Sequence, residues 1–157
     1  MLYFIVINPI PTVILTLTAD DNTLLRIDFG VQKPANAIEK ATPVLNLAAQ
    51  QLEEYFHGLR RDFTIPLKAN GTQFQQQVWQ ALTHIPYGMT HTYKELADTI
   101  GKPKASRAVG NACNRNPLPI VIPCHRVIGS SGSLTGYAGG MELKSMLLKM
   151  EEKFTKN

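Results

Sequence analysis

The chain has 157 residues, 44% of them hydrophobic, and a formal net charge of +4. This is enough for one compact domain or two small ones, with a composition ordinary for a soluble globular protein. Two cysteines are too few for a zinc knuckle, and the four histidines show no ligand spacing, so no metal or cofactor is expected.

No stretch approaches a membrane-spanning length. The apolar N-terminus lacks a basic leader, and Asn8, Pro9 and Pro11 interrupt it. The expectation is a cytoplasmic protein in which Cys113 and Cys124 are reduced, although a disulfide between them is open in principle. Residues 1–68 hold six Lys/Arg against seven Asp/Glu, and residues 69–157 hold ten against five. The basic excess of the second half suggests a surface facing a polyanion.

Leu2 to Ile7 reads as a strand, Asn8 to Pro11 as a turn, and Val13 to Thr18 and Leu24 to Phe29 as a hairpin, giving a small antiparallel sheet. Thr42-Pro43 is an N-cap with proline at the first helical position. Leu45, Ala48, Leu52, Tyr55 and Phe56 recur at helical spacing, and Gly58 is a stop. Phe63 to Pro66 is a further candidate strand. Residues 1–67 form an α/β scaffold domain on this reading, and residues 68–157 a second domain.

Thr72-x-x-Gln75 and Thr92-x-x-Glu95 are capping boxes, each opening a helix. Trp79, on the first, is read as core. Gly101 ends the second, and Lys102-Pro103 starts another helix, with Ala105, Ala108, Val109 and Ala112 on one face. Helix, glycine turn and helix make a helix-turn-helix pattern. On the opposite face Gly110 and Ser106 leave a smooth surface carrying Arg107, and Lys102, Lys104 and Arg115 add positive charge. Met141 to Phe154 is an amphipathic helix with Leu143, Met146, Leu147, Met150 and Phe154 as its buried stripe; Glu151 lies beside that stripe.

The stretch from Ile120 to Ile128 is β-branched around Pro123 and reads as a buried strand or extended segment that stops at Cys124. His125 and Arg126 follow, and both can favour thiolate over thiol. A lone cysteine beside apolar residues is ordinarily a small buried hydrophobe, and adjacent side chains diverge, so these residues alone leave both readings open.

Ile122-Pro123-Cys124-His125-Arg126-Val127 resembles the acceptor-cysteine signature of the O6-alkylguanine-DNA alkyltransferases. Thr92-Tyr93-x-x-Leu96-Ala97 and Ala105-x-Arg107-Ala108-Val109-Gly110 match that family's two DNA-handling motifs, and the likeness runs from about Thr72 to Glu151. It implies an α+β protein: a ribonuclease H-like N-terminal α/β domain (antiparallel sheet plus helix), then a helical domain with the helix-turn-helix and an active-site loop.

The implied activity is direct-reversal repair, in which Cys124 irreversibly takes an alkyl group from O6-alkylguanine, and also from O4-alkylthymine, in double-stranded DNA. By the same resemblance the second helix enters the minor groove. Tyr93 presses on the phosphate 3′ to the lesion and donates a proton, and Arg107 replaces the extruded base. Lys104, Ser106, Gly110, Asn111, Arg115 and Arg126 join the DNA face. Asn116 is a hinge, and Glu151, His125 and a water relay the thiol proton. Val127, Tyr137, Ala138 and Pro119 form the base pocket. Ala138 stands where some members carry serine, which implies room for adducts larger than methyl. The chain would act as a monomer. The competing readings are a lesion-binding relative or helix-turn-helix regulator without transfer activity, and a cysteine hydrolase.

Overall fold

In the computed structural model, which describes residues 1–156, the first strand does not stop at Asn8. β1 spans Leu2–Ile10 and β2 Val13–Ala19, so the reversal falls on Pro11-Thr12. The register shifts between Ile7 and Ile10, marking a bulge. Asn8 holds it: its Nδ2 donates to the Ile10 and Val13 carbonyls at 2.8 and 2.6 Å. Pro9 is tolerated in the strand because a bulge needs no ladder donor from it.

β3 (Leu24–Phe29) pairs antiparallel with β2, and β4 (Ala37–Glu39) pairs parallel with β1, giving the order β3-β2-β1-β4. The sheet is therefore mixed, not antiparallel as expected. A three-residue strand is too short to show alternation, so β4 left no readable pattern. Helix α1 (Pro43–Phe56) starts as expected, with Thr42 Oγ1 accepting from Leu45 N. It buries Leu45, Ala48, Leu52, Tyr55 and Phe56 against β1 and β2.

Phe63 to Pro66 forms no strand. The Gln51 side chain satisfies this segment instead, donating to Thr64 Oγ1 at 2.6 Å and accepting from Thr64 N at 2.9 Å. Only Leu67 bridges to Leu24. These elements belong to a unit of residues 1–70, and residues 71–157 make a second unit.

The second unit opens with α2 (Gln73–Leu82), and α3 (Tyr93–Thr99) follows; both capping boxes close with their side chains in place. α4 (Ser106–Asn114) starts four residues later than Lys102, because Lys102 to Ala105 closes a turn of its own, with Ala105 N donating to Lys102 O. Its buried residues are Val109, Ala112 and Cys113, while Ala108 faces out. Trp79 is 2% exposed, and its indole N–H donates to Ala112 O at 2.8 Å, fastening α2 to α4.

The stretch from Ile120 to Ile128 is mostly not a strand. Ile120 has a φ of 76°, the left-handed region, which a β-branched residue enters only at a cost of about 1–3 kcal/mol. Ile122 N donates to Leu118 O and closes the turn that imposes it. Cys124–Arg126 is a single 3₁₀ turn. Only β6 (Val127–Ile128) is a strand, parallel to β5 (His91–Thr92). That pairing sets Thr92, the N-cap of α3, beside the end of the cysteine segment. α5 (Met141–Thr155) closes the chain. Among the described residues no helix is long and apolar enough to cross a membrane.

Candidate active site

Cys124 begins the 3₁₀ turn with its backbone N–H donating to Ile122 O at 2.8 Å, and is 7% exposed. The same Ile122 carbonyl accepts from Asn116 Nδ2 at 2.8 Å, and Asn116 Oδ1 accepts from Leu118 N at 2.9 Å. Asn116 follows α4 by two residues, so one buried amide ties the end of that helix to the cysteine turn.

Burial pushes the Cys124 thiol up to about 11, against a hydrogen bond from Asn116 and the charge of Lys144. The expectation that neighbouring cations would favour the thiolate is thus reversed. At pH 7 such a thiol is ionised in roughly one molecule in ten thousand. Cys113 is also buried and free, and burial pushes it to about 12.

The charge of Arg126 is engaged elsewhere. Expected on the DNA face, Arg126 is 6% exposed; its Nε donates to Glu151 Oε1 at 2.8 Å and its Nη1 to Ile85 O at 2.8 Å. A buried carboxylate needs a paired cation, and that requirement draws the guanidinium inward.

Glu151 Oε2 lies 2.7 Å from His125 Nε2, and Oε1 also accepts from Gly88 N at 3.1 Å. Burial pushes the Glu151 carboxyl up, but its His125 and Arg126 contacts outweigh this and hold it at about 2. Burial pushes His125 down more strongly than Glu151 raises it. The pair at neutral pH is a carboxylate and a neutral imidazole. With Nε2 donating to the carboxylate, the basic lone pair of the ring resides on Nδ1.

Lys144 escaped the sequence reading. It lies on the inner face of α5 and is fully buried, between positions taken for the apolar stripe; the buried residues of α5 are Lys144, Leu147 and Glu151. Its Nζ donates to Val127 O at 2.6 Å and Thr135 O at 2.8 Å, tying the strand after the cysteine to the loop before α5. The available signal was its place one residue from Leu143 and three from Leu147 on an amphipathic helix.

Tyr93, first residue of α3, shares an open cleft of about 520 Å³ with Ser106, Arg107, Gly110, Asn111 and Asn114 of α4, and with Thr135 and Gly136 of the loop. Lys104 and Arg115 are exposed outside it. Gly110 passes close under Tyr93, where an added Cβ would lie 3.7 Å from the ring. Of the expected pocket residues, Val127 and Pro119 are buried and Ala138 is exposed on the loop. The Tyr137 ring stands 6.5 Å from that of His125, nearly perpendicular to it. Among the described residues, no group of three His, Cys, Asp or Glu is placed to hold a metal ion.

A mixed-sheet α/β unit followed by a helical unit with a buried cysteine and a helix-turn-helix matches the layout expected of an alkyl-accepting DNA repair protein. Residues 12–69 match the ribonuclease-like domain, and residues 73–153 the DNA binding domain, of 6-O-methylguanine DNA methyltransferase. The chain belongs to that family. It is 50% identical to a methylated-DNA--protein-cysteine methyltransferase of Methanosarcina barkeri, over 97% of this chain and 98% of the relative. It is 56% identical to the constitutive enzyme of Bacillus subtilis, over 74% of this chain and 71% of that one.

Among solved structures, the O6-methylguanine methyltransferase of Mycobacterium tuberculosis superposes with a TM-score of 0.88 at 41% identity, covering 98% of this chain and 94% of that one. The OGT of the same organism in complex with DNA also superposes at 0.88, with 42% identity and coverage of 98% and 93%. The activity is alkyl transfer from O6-methylguanine in DNA to a protein cysteine.

Proposed function

We propose that Cys124 is the acceptor and that each chain transfers one alkyl group, irreversibly. The observation that carries this is the placement of Cys124: a buried thiol whose segment is held by Asn116, followed at once by a His125–Glu151 pair that supplies a base. Because the resting thiol is protonated, its proton leaves as attack occurs. It passes to His125 through one water, and Glu151 holds the imidazole while it becomes cationic. Sulfur attacks the alkyl carbon in line, the C–O6 bond breaks, and its electrons stay on the purine. Tyr93 donates a proton to the purine ring and recovers one from solvent. The thioether offers water no activated carbonyl, so the protein is spent.

Duplex DNA docks on the cleft of α3 and α4, with α4 in the minor groove. The smooth surface at Ser106 and Gly110 admits the backbone, and Lys104, Asn111 and Arg115 contact it. Arg107 fills the stack when the damaged nucleotide swings out, offsetting part of the few kcal/mol of unstacking. Tyr137, Val127, Pro119 and Ala138 receive the base, and the exposed Ala138 leaves room for adducts beyond methyl. O4-alkylthymine is a second substrate, and the protein works as a cytoplasmic monomer.

The test is mass spectrometry of the protein after reaction with duplex DNA carrying one O6-methylguanine. The expected product is one methyl on Cys124, none on Cys113, and none in Cys124→Ser. More than one lesion cleared per chain would refute the proposal.

A further inference from the structure

Thr135 belongs to the glycine- and serine-rich loop between β6 and α5, a segment whose composition suggests freedom. Its backbone carbonyl nonetheless accepts from the buried Lys144 Nζ at 2.8 Å. The next residue, Gly136, lies so close to Asn114 of α4 that an added Cβ would meet Asn114 Oδ1 at 3.1 Å. With the loop fixed to α5 and packed on α4, the Thr135 hydroxyl donates to Tyr93 Oη at 3.0 Å.

A phenol has one proton and two lone pairs. A donor on its oxygen occupies one lone pair and turns the phenol's own proton toward another acceptor. The same donor stabilises negative charge on that oxygen as the proton departs.

We infer that Thr135 is a positioning residue for the alkyl transfer: its hydroxyl, on a loop fixed through its backbone by Lys144 and packed on Asn114 at Gly136, aims the Tyr93 O–H at the leaving purine and stabilises the phenolate left behind. The inference rests on the proposed role of Tyr93 as proton donor. In the step concerned, the Tyr93 O–H bond breaks and an N–H bond forms on the purine as the C–O6 bond opens and the S–C bond forms. Solvent then returns a proton to Tyr93.

Burial raises the Tyr93 phenol, and the Thr135 hydrogen bond pulls it down. The other titratable groups facing Tyr93 are Cys113 of α4, Cys124 of the 3₁₀ turn and Lys144 of α5, whose Nζ is 6.0 Å from the ring centre. Lys94 and Arg107 line the same cleft. Thr135→Val keeps the shape and removes only the hydroxyl.

The experiment compares wild type, Thr135→Val, Thr135→Ser and Tyr93→Phe. Single-turnover transfer is measured from O6-methylguanine in duplex DNA, together with DNA affinity. Tyr93 is titrated by its ultraviolet difference against Tyr93→Phe, which is prepared in each Thr135 background. Thr135→Val is expected to react roughly three- to tenfold more slowly, the effect of one neutral hydrogen bond. Its Tyr93 midpoint should rise, its DNA affinity should hold, and Thr135→Ser should restore both rate and midpoint. Wild-type rate in Thr135→Val while Tyr93→Phe is slow overturns the role of Thr135. So does a slow Thr135→Val with an unmoved Tyr93 midpoint, or an equally slow Thr135→Ser. Wild-type rate in Tyr93→Phe overturns the underlying reading of Tyr93 instead.

Discussion

His125 and Glu151 meet at 2.7 Å with both side chains withdrawn from water, at 0% and 1% exposure, although 26 positions separate them. The 3₁₀ turn at Cys124 supplies one partner and the last turns of α5 the other, and Arg126 closes the cluster from the same side as His125.

Removing the carboxylate charge should therefore cost more than a surface ion pair would. Glu151→Gln leaves Arg126 buried without an anion, and a loss of about 3–5 kcal/mol is expected. Urea unfolding followed by circular dichroism measures it. The retention of wild-type stability would show that the cluster bears no load.

The same cluster sets the acid limit. Glu151 has a folded value of about 2 against 4.5 for an unperturbed carboxyl, so the unfolded chain binds the proton first as pH falls. Its stabilisation is complete above 4.5 and is lost progressively toward 2. His125 is depressed below 6.5, so its contribution also falls as pH drops below that value. Melting temperature should decline from about pH 6.5 downward, with a second loss below pH 4.5 that Glu151→Gln lacks.

Both thiols should resist small alkylating reagents in the absence of DNA. Relative to the ordinary value of 9, the shift of Cys124 to about 11 lowers its thiolate fraction roughly 100-fold, and that of Cys113 to about 12 roughly 1000-fold. Iodoacetamide labelling at pH 7.5, read by peptide mass spectrometry, should favour Cys124 over Cys113. Both should label quickly in denaturant, and the native rates should rise about tenfold per pH unit.

Lys144→Met should loosen the active-site loop. It strips a charged donor from the Val127 and Thr135 carbonyls, at a cost of about 2–4 kcal/mol. It also removes a positive charge that lowers the Cys124 thiol, so labelling of Cys124 should slow further wherever the fold survives. Thermal melts and the labelling assay separate the two effects.

The α4 face offers a contrast between folding and docking. Gly110→Ala places a Cβ at ordinary contact with Tyr93 and should stabilise the helix by about 0.5–1 kcal/mol. DNA affinity should nevertheless fall, because the smooth face is lost. Arg107→Ala should slow transfer from duplex DNA more than from single strands, where no stack has to be filled. Equal slowing on both would count against the finger role.

The sequence by itself determined what nearest neighbours decide. The two capping boxes and the Thr42-Pro43 start are local hydrogen-bonding patterns and survive in the structure, and the α3-turn-α4 pair survives with α4 starting four residues late. The Cys124-His125-Arg126 run was legible as a signature only through its resemblance to a known family. Only the tertiary structure decided where charge and strain reside. Arg126 turned inward because its anion arrives on a helix 25 positions later. Lys144 became core because two carbonyls from distant segments converge on it. Ile120 went left-handed where periodicity indicated a strand, since the turn between Leu118 and Ile122 overrode its β preference. The thiol rose instead of falling, because burial outweighs adjacent charge that is already paired. Long-range partners set the cost of burying a charge, and a linear pattern does not record them.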